Sequence, residues 1–472
     1  MLLAVPVALA LTLTYEEALT RAGEANVDVR AAAQDVLAAE ASLLAARSPF
    51  EPTLDASGSY YSQAEEGTSP QFGETYYEAS GWNASAALVQ PLATGTSLSV
   101  GMDSSQSRTL FRGQIEGFDF ESEEDGQIAS KLTFTLSQQL LQGHRLAWNL
   151  QGVRTAKGVR SIAEAMRQAR RQQVLADTAR QFWGARYQRS LADIAAQTWE
   201  IAKEQRRVAQ ALVEGGRLAP VEGTRAEALM VQAERASMLA DSAARAAEEA
   251  LLIGIGEPPG TALELVSAPS APPALSLDED AVVEAVLQGN PELVGLRIQL
   301  DTRRRALKDA RHALLPALGG TASYALKGYE PTLAGSLAEA ATGDFRDYSL
   351  GAQLSLPLFN RADRGALGQA EAAATLAELD VRRLEDGLTQ AARAQVRTLE
   401  AASRDVELAR LNVRLAEETL AAEQARLAEG RALQRDVSEA LKGLDTARTE
   451  AERALTDYLV AVVELERLKG SL

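Results

Sequence analysis

The chain has 472 residues, 46% of them hydrophobic but only 5% aromatic, with no cysteine and two histidines. A net charge of −17 and a pI near 4.9 argue against a nucleic-acid surface, which needs clustered excess lysine and arginine. The lack of cysteine argues against thiolate metal sites, a cysteine nucleophile, a disulfide framework and a lipid-anchored mature N-terminus. His144 and His312 lie far apart in sequence, and there is no Gly-rich phosphate loop or nucleophile elbow. The expectation is a chain that is not an enzyme and has no cofactor and no metal site.

In chain order, the apolar run Leu2 to Ala10 ends in Ala8-Leu9-Ala10, like the core and cleavage site of a secretory signal, so residues 1–10 read as a truncated signal peptide. No other stretch reaches the roughly 18 apolar residues of a spanning helix. Thr14-Tyr15-Glu16-Glu17 is a capping box, and Ser276-Leu277-Asp278-Glu279 repeats it. Asn26 and Asn290 are the next N-cap candidates, with Pro291 at a first helical position. From each asparagine a helical run closes at a proline, Pro52 or Pro316, and gives way to alternation ending at Tyr60 or Tyr324. The register holds, since 290 − 26, 316 − 52 and 324 − 60 all equal 264. The chain therefore reads as a duplication, with a first repeat over 11–263, a Pro, Ala and Ser linker over 264–275 and a second repeat over 276–472.

Period-2 alternation marks strands over 53–63, 78–90, 96–108 and 128–140 in the first repeat and over 318–327 and 347–357 in the second. About ten residues per strand, apolar on one face and polar on the other, suits a tilted strand crossing a bilayer in a closed barrel. An ordinary sandwich alternates too, and the strand pattern alone leaves both open. Long helical patterns over 146–214 and 362–429 are each about 68 residues, so roughly 100 Å at 1.5 Å per residue. The second carries a heptad in Leu399, Ala402, Val406, Ala409, Val413, Ala416 and Leu420. Each long helix turns over at a Gly-containing tip, and return helices follow over 221–254 and 433–468.

At this point the chain resembles the TolC-like outer membrane factor family, the exit ducts of bacterial efflux pumps and type I secretion systems. The resemblance rests on the duplicated Asn-x-[Asp/Glu] helix start with proline before a short strand and on the strand ends Leu88-Val89-Gln90-Pro91-Leu92 and Ser355-Leu356-Pro357-Leu358. It rests also on the helix entry Leu140-Leu141-Gln142-Gly143 and the tips. It implies an α+β membrane protein in which a long antiparallel α-helical coiled-coil barrel forms a periplasmic tunnel. Transmembrane β-strands from each copy would enter one shared trimeric β-barrel. The partners implied are two further copies (a homotrimer), a periplasmic adaptor, an inner-membrane transporter and outer-membrane lipid, with no nucleic acid. Strand arithmetic agrees, because four to six strands from one chain cannot enclose an aqueous pore that takes about 16. The segments 96–108 and 128–140 exceed the family's two strands per half, and the acidic stretch between them, with Glu121, Glu123, Glu124 and Asp125, reads as an extracellular loop.

The function implied is a passive conduit opened by adaptor and transporter; the alternative is a non-conducting outer-membrane strut spanning the periplasm. The cargo is not implied, since drug, metal, dye and protein export share this architecture. The resemblance makes the tips, Gly216, Arg217 and Leu218 with Gly430, Arg431, Ala432 and Leu433, the adaptor-docking ends. Counted from Gly430, Asp436 and Glu439 fall on the family's inward-facing aspartates of the periplasmic gate, one helix turn apart, and Glu222 is the repeat equivalent of Asp436, since 436 − 222 equals 430 − 216. The family's latch arginine position is here Ala432, so Arg431 or Arg435 would have to pair with Glu222 for a latch to exist.

Overall fold

The computed structural model describes residues 11–115, 118–216, 219–266, 278–428 and 434–472. The signal-peptide expectation for 1–10 and the capping residue Ser276 lie outside the described residues. The elements in order are β1 (Leu11–Leu13), α1 (Tyr15–Ala25), α2 (Val27–Ala45), β2 (Thr53–Ser69), β3 (Gly73–Pro91), β4 (Thr96–Ile115), β5 (Phe118–Asp125), β6 (Ile128–Gln139), α3 (Leu146–Asn149), α4 (Gln151–Glu214) and α5 (Pro220–Gly254). They continue with β7 (Leu263–Leu265), α6 (Glu279–Gly289), α7 (Pro291–Ala313), β8 (Ala317–Glu330), α8 (Leu333–Thr342), β9 (Phe345–Ser355), α9 (Arg361–Ala428) and α10 (Gln434–Lys469). Among the described residues no helix is long and apolar enough to cross a membrane. The chain divides into two units, one of residues 1–38, 161–298 and 378–472 and the other of 39–160 and 299–377.

The first unit is helical, and its core sets alanines among larger aliphatic and aromatic side chains. Ala18, Ala22, Ala176, Ala179 and Ala185 are buried with Val174, Leu175, Phe182, Leu251, Leu252 and Ile255, so helix backbones can approach closely. Tyr15 stacks on Trp183 at 5.2 Å and meets the Phe182 edge at 5.7 Å. A second cluster of Leu420, Val437, Leu441 and Leu444 joins α9 to α10. The heptad of α9 is its inward stripe, with Leu399, Val406 and Leu420 buried and Ala402, Ala409, Val413 and Ala416 half-buried.

The duplication persists in hydrogen bonds. Asn26 caps α2 by accepting from the Asp28 amide at 2.9 Å and donates through Nδ2 to Gly254 O at 3.1 Å. Asn290 caps α7 by accepting from the Glu292 and Leu293 amides, both at 3.1 Å, and donates through Nδ2 to Leu468 O at 3.3 Å. The carbonyls are repeat equivalents, as 468 − 254 equals the 214 that relates Glu222 to Asp436. Gly256 and Gly470, also 214 apart, follow the return helices with φ 81° and 73°. Thr14 and Glu17 form the capping box at the start of α1. In the second repeat the helix starts later than expected, with Asp278 as N-cap of α6, its carboxylate accepting from the Asp280 amide. A further element unread in the sequence is a parallel pair, Leu11 to Leu263 through Leu13 to Leu265.

The second unit carries an antiparallel sheet in the order β2-β3-β4-β6-β8-β9. Both segments beyond the family pattern, 96–108 and 128–140, lie in β4 and β6 of this one sheet. The strands outrun the alternation: β2 and β3 pair as far as Ser69 and Gly73, where the side chains are polar on both faces and no period-2 signal exists. The acidic stretch is not a loop. It forms β5, which pairs with the far end of β4 from Arg108 opposite Asp125 to Ile115 opposite Phe118. Arg108 bridges Glu123 and Asp125, Arg112 reaches Glu121 at 3.1 Å, and Phe111 packs against Phe72 and Phe120, so cross-strand ion pairs and aromatics offset the acidic repulsion. Helix α8, also unexpected, lies against β8, its Ser336 hydroxyl 2.7 Å from that of Ser130, itself 2.9 Å from that of Ser104.

Candidate functional site

Two features present distinct chemistry to their surroundings: the faces of the sheet and the tips of the return helices. Register separates the sheet faces. Leu54, Leu88, Val100, Phe134, Tyr324 and Tyr348 are successive cross-strand partners on one face. Leu54, Tyr348 and Leu350 are 72%, 83% and 82% exposed, an apolar surface open to its surroundings. The opposite face carries Ser57, Ser85, Asp103, Lys131 and Lys327 as successive partners, with Lys327 ion-paired diagonally to Asp347. The hydrogen-bonded path ends at β2 and β9, and the residues of β9 are exposed on both faces.

At the first tip, α4 ends with the Gly216 amide donating to Val213 O at 3.0 Å, and Gly216 has φ 66°, a conformation that suits a residue without Cβ. Ala219 and Pro220 start α5, whose first turn holds Glu222. Its side chain is 14% exposed, with Oε1 accepting from Arg225 Nη1 at 2.5 Å and Oε2 buried without a hydrogen bond. Asp436 lies in the first turn of α10, with Arg435 3.6 Å away, and Glu439 is exposed one turn on. Asp436 and Glu439 border one groove with Asn412, Thr419, Glu423 and Arg426 of α9.

The structure thus brings Asp436 and Glu439 onto one groove, and it gives Glu222 to Arg225 of its own helix. Among the described residues, Arg435 and Glu222 are not paired with each other. Arg217, Leu218, Gly430, Arg431, Ala432 and Leu433 lie outside the described residues. Sequence reasoning missed Arg225, although its spacing of three from Glu222 on a helix was the available signal.

The family model for outer membrane efflux proteins matches residues 18–257 and 282–471. The fold is similar to the outer-membrane channel OprN, with a TM-score of 0.69 at 14% identity over 97% of this chain and 90% of that one. It is similar to the outer membrane protein VceC of Vibrio cholerae, at 0.67 and 14% over 97% and 96%. The Campylobacter jejuni CmeC outer membrane channel gives 0.65 and 15% over 97% and 85%. No curated protein matches the sequence.

Proposed function

We propose, for a chain that belongs to the outer membrane efflux protein family, that it is a passive exit duct of a tripartite efflux pump or type I secretion system. Three copies close one barrel in the outer membrane, and their helices form the tunnel through the periplasm. The observation that carries this reading is the sheet with one apolar and one polar face whose path, among the described residues, ends on the two edges β2 and β9. An apolar face suits lipid, a polar face suits a water-filled lumen, and open edges call for pairing with another chain. The wall facing the lumen then carries Asp103, Lys131, Lys327 and Asp347.

The gate consists of Asp436 and Glu439, with Glu222 on the equivalent return helix. Threefold symmetry stacks rings of carboxylates that repel one another, favour cations and part readily when the tips are drawn open. Any latch through Arg431 or Arg435 competes with Arg225, which already holds Glu222. An adaptor of an inner-membrane transporter docks at Gly216, Arg217 and Leu218 and at Gly430, Arg431, Ala432 and Leu433.

Planar-bilayer recording tests the reading. Wild-type protein is expected to conduct with cation preference and to be blocked by trivalent cations. Asp436→Ala with Glu439→Ala should reduce both. Selectivity and block left at wild-type levels would remove these carboxylates from the aperture, and protein that inserts without conducting would favour the strut.

A further inference from the structure

Helix α8 lies on the apolar face of the sheet, at the level where that face stops being apolar. Residues two apart on a strand share a face, so the row Leu326, Leu132 and Met102 leads along the strands to the row Gly328, Ser130 and Ser104. Ser336 and Ala340 of α8 are buried against this second row, their backbone filling the space beside Gly328. The three serine hydroxyls form a closed chain. Ser336 donates to Leu333 O at 3.1 Å, so Ser130 donates to Ser336 and Ser104 to Ser130. Beyond this row the face is polar: Trp82 Nε1 donates to Gln106 Oε1 at 3.1 Å, and Arg108 bridges Glu123 and Asp125.

On β8 the apolar row runs from Leu318 through Ala322 and Tyr324 to Leu326. At about 3.3 Å per residue and a tilt of about 40° it rises roughly 20 Å, whereas the apolar band of a membrane barrel is about 25 Å tall. The missing height falls on the serines, and hydroxyls set against hydrocarbon are costly. Helix α8 covers them and offers carbon instead. Leu333, Ala334, Leu337, Ala338 and Ala341 recur at helical spacing along one flank, and all but the half-buried Leu337 are exposed. The one carboxylate of the helix, Glu339, accepts from the Tyr329 amide at 2.5 Å.

We propose that this flank of α8 contacts the acyl chains of outer-membrane lipid close beneath the headgroups, carrying the apolar belt over the serine row. This depends on the apolar face of the sheet meeting lipid, as in the function proposed above. The flank adjoins that face and carries no charge, which suits hydrocarbon.

The chain has no cysteine, so a single introduced thiol takes a fluorescent label cleanly. Ala334→Cys and Ala338→Cys, each at an exposed position, are labelled in full-length protein and reconstituted into phosphatidylcholine vesicles. Leu350→Cys, opposite Ala322 in the middle of the apolar row, and Ser57→Cys on the polar face serve as references. Size-exclusion profiles and circular dichroism matching wild type establish that the variants are folded. Lipid bearing a nitroxide just below the headgroup is expected to remove most of the fluorescence of both α8 labels, and lipid bearing it deep in the chain to remove less. At Leu350 the order should reverse, and the Ser57 label should respond to aqueous iodide alone. If Leu350 responds to lipid while the α8 labels respond only to iodide, or to neither quencher because a neighbouring copy covers them, the assignment of α8 is overturned and the lipid-facing sheet stands. A Leu350 label that ignores both lipids overturns the two together.

Discussion

Asn290 shows how much one amide side chain can carry. It satisfies two amides at the start of α7 and one carbonyl near the end of α10, all within a site where the residue is 5% exposed. Asn290→Ala is expected to cost about 2 kcal/mol, from a lost cap plus a carbonyl left unpaired. Asn26→Ala, at the half-buried equivalent, should cost less; thermal denaturation in detergent measures both, and an equal or absent shift contradicts the assignment. Glu466 presents the opposite case, its carboxyl pushed up by burial and only partly relieved by Lys469. Tyr15 beside it is pushed up to about 12, by burial first and the Glu466 charge second. An acid with a raised folded pKa binds more protons folded than unfolded. Its penalty is absent below the unfolded value of about 4.3 and complete above the raised one, so stability falls as pH rises through that window. Glu466→Gln should therefore raise the melting temperature at pH 7 and not at pH 4, and an equal gain at both would refute the linkage.

At the scale of elements, α8 is fitted to β8 through a glycine. A Cβ on Gly328 would lie 2.0 Å from Ser336 O and 2.6 Å from the Ala340 amide, both backbone atoms that move only if the helix moves. Gly351 on β9 has open space at the same place. Gly328→Ala is expected to loosen α8, lowering the melting temperature and opening 331–344 to protease, while Gly351→Ala leaves both unchanged; identical behaviour of the two would place the tolerance elsewhere. The ends of α8 were legible, since Thr332 caps it through the Gly335 amide and Gly343 closes it with φ 78°. Its presence was not, because ten residues between two alternating segments suit a loop equally well. The same limit explains β5: a run of carboxylates looks solvated until arginines on the neighbouring strand are known to face it.

For the whole molecule, β2 and β9 end the hydrogen-bonded path among the described residues, and each edge offers backbone donors and acceptors to another chain. Detergent-extracted protein is therefore expected to have three times the 50.3 kDa chain mass by light scattering, or slightly less once any leader is removed. A monodisperse, conducting monomer would contradict the shared barrel. What local pattern could dictate was already written in the chain: alternation and 3.6-residue periodicity gave strands and long helices, and the 264-residue offset gave the duplication, because each depends on neighbours a few positions away or on direct self-comparison. The asparagine caps belong here too, since their acceptors are amides two or three positions on. Folding alone decided the rest. The pairing of β1 with β7, the acceptors Gly254 and Leu468 of the two caps, and the meeting of His144 with His312 join residues far apart in the chain. Such contacts follow from how packed helices and paired strands return the backbone to itself, and no local periodicity records that path.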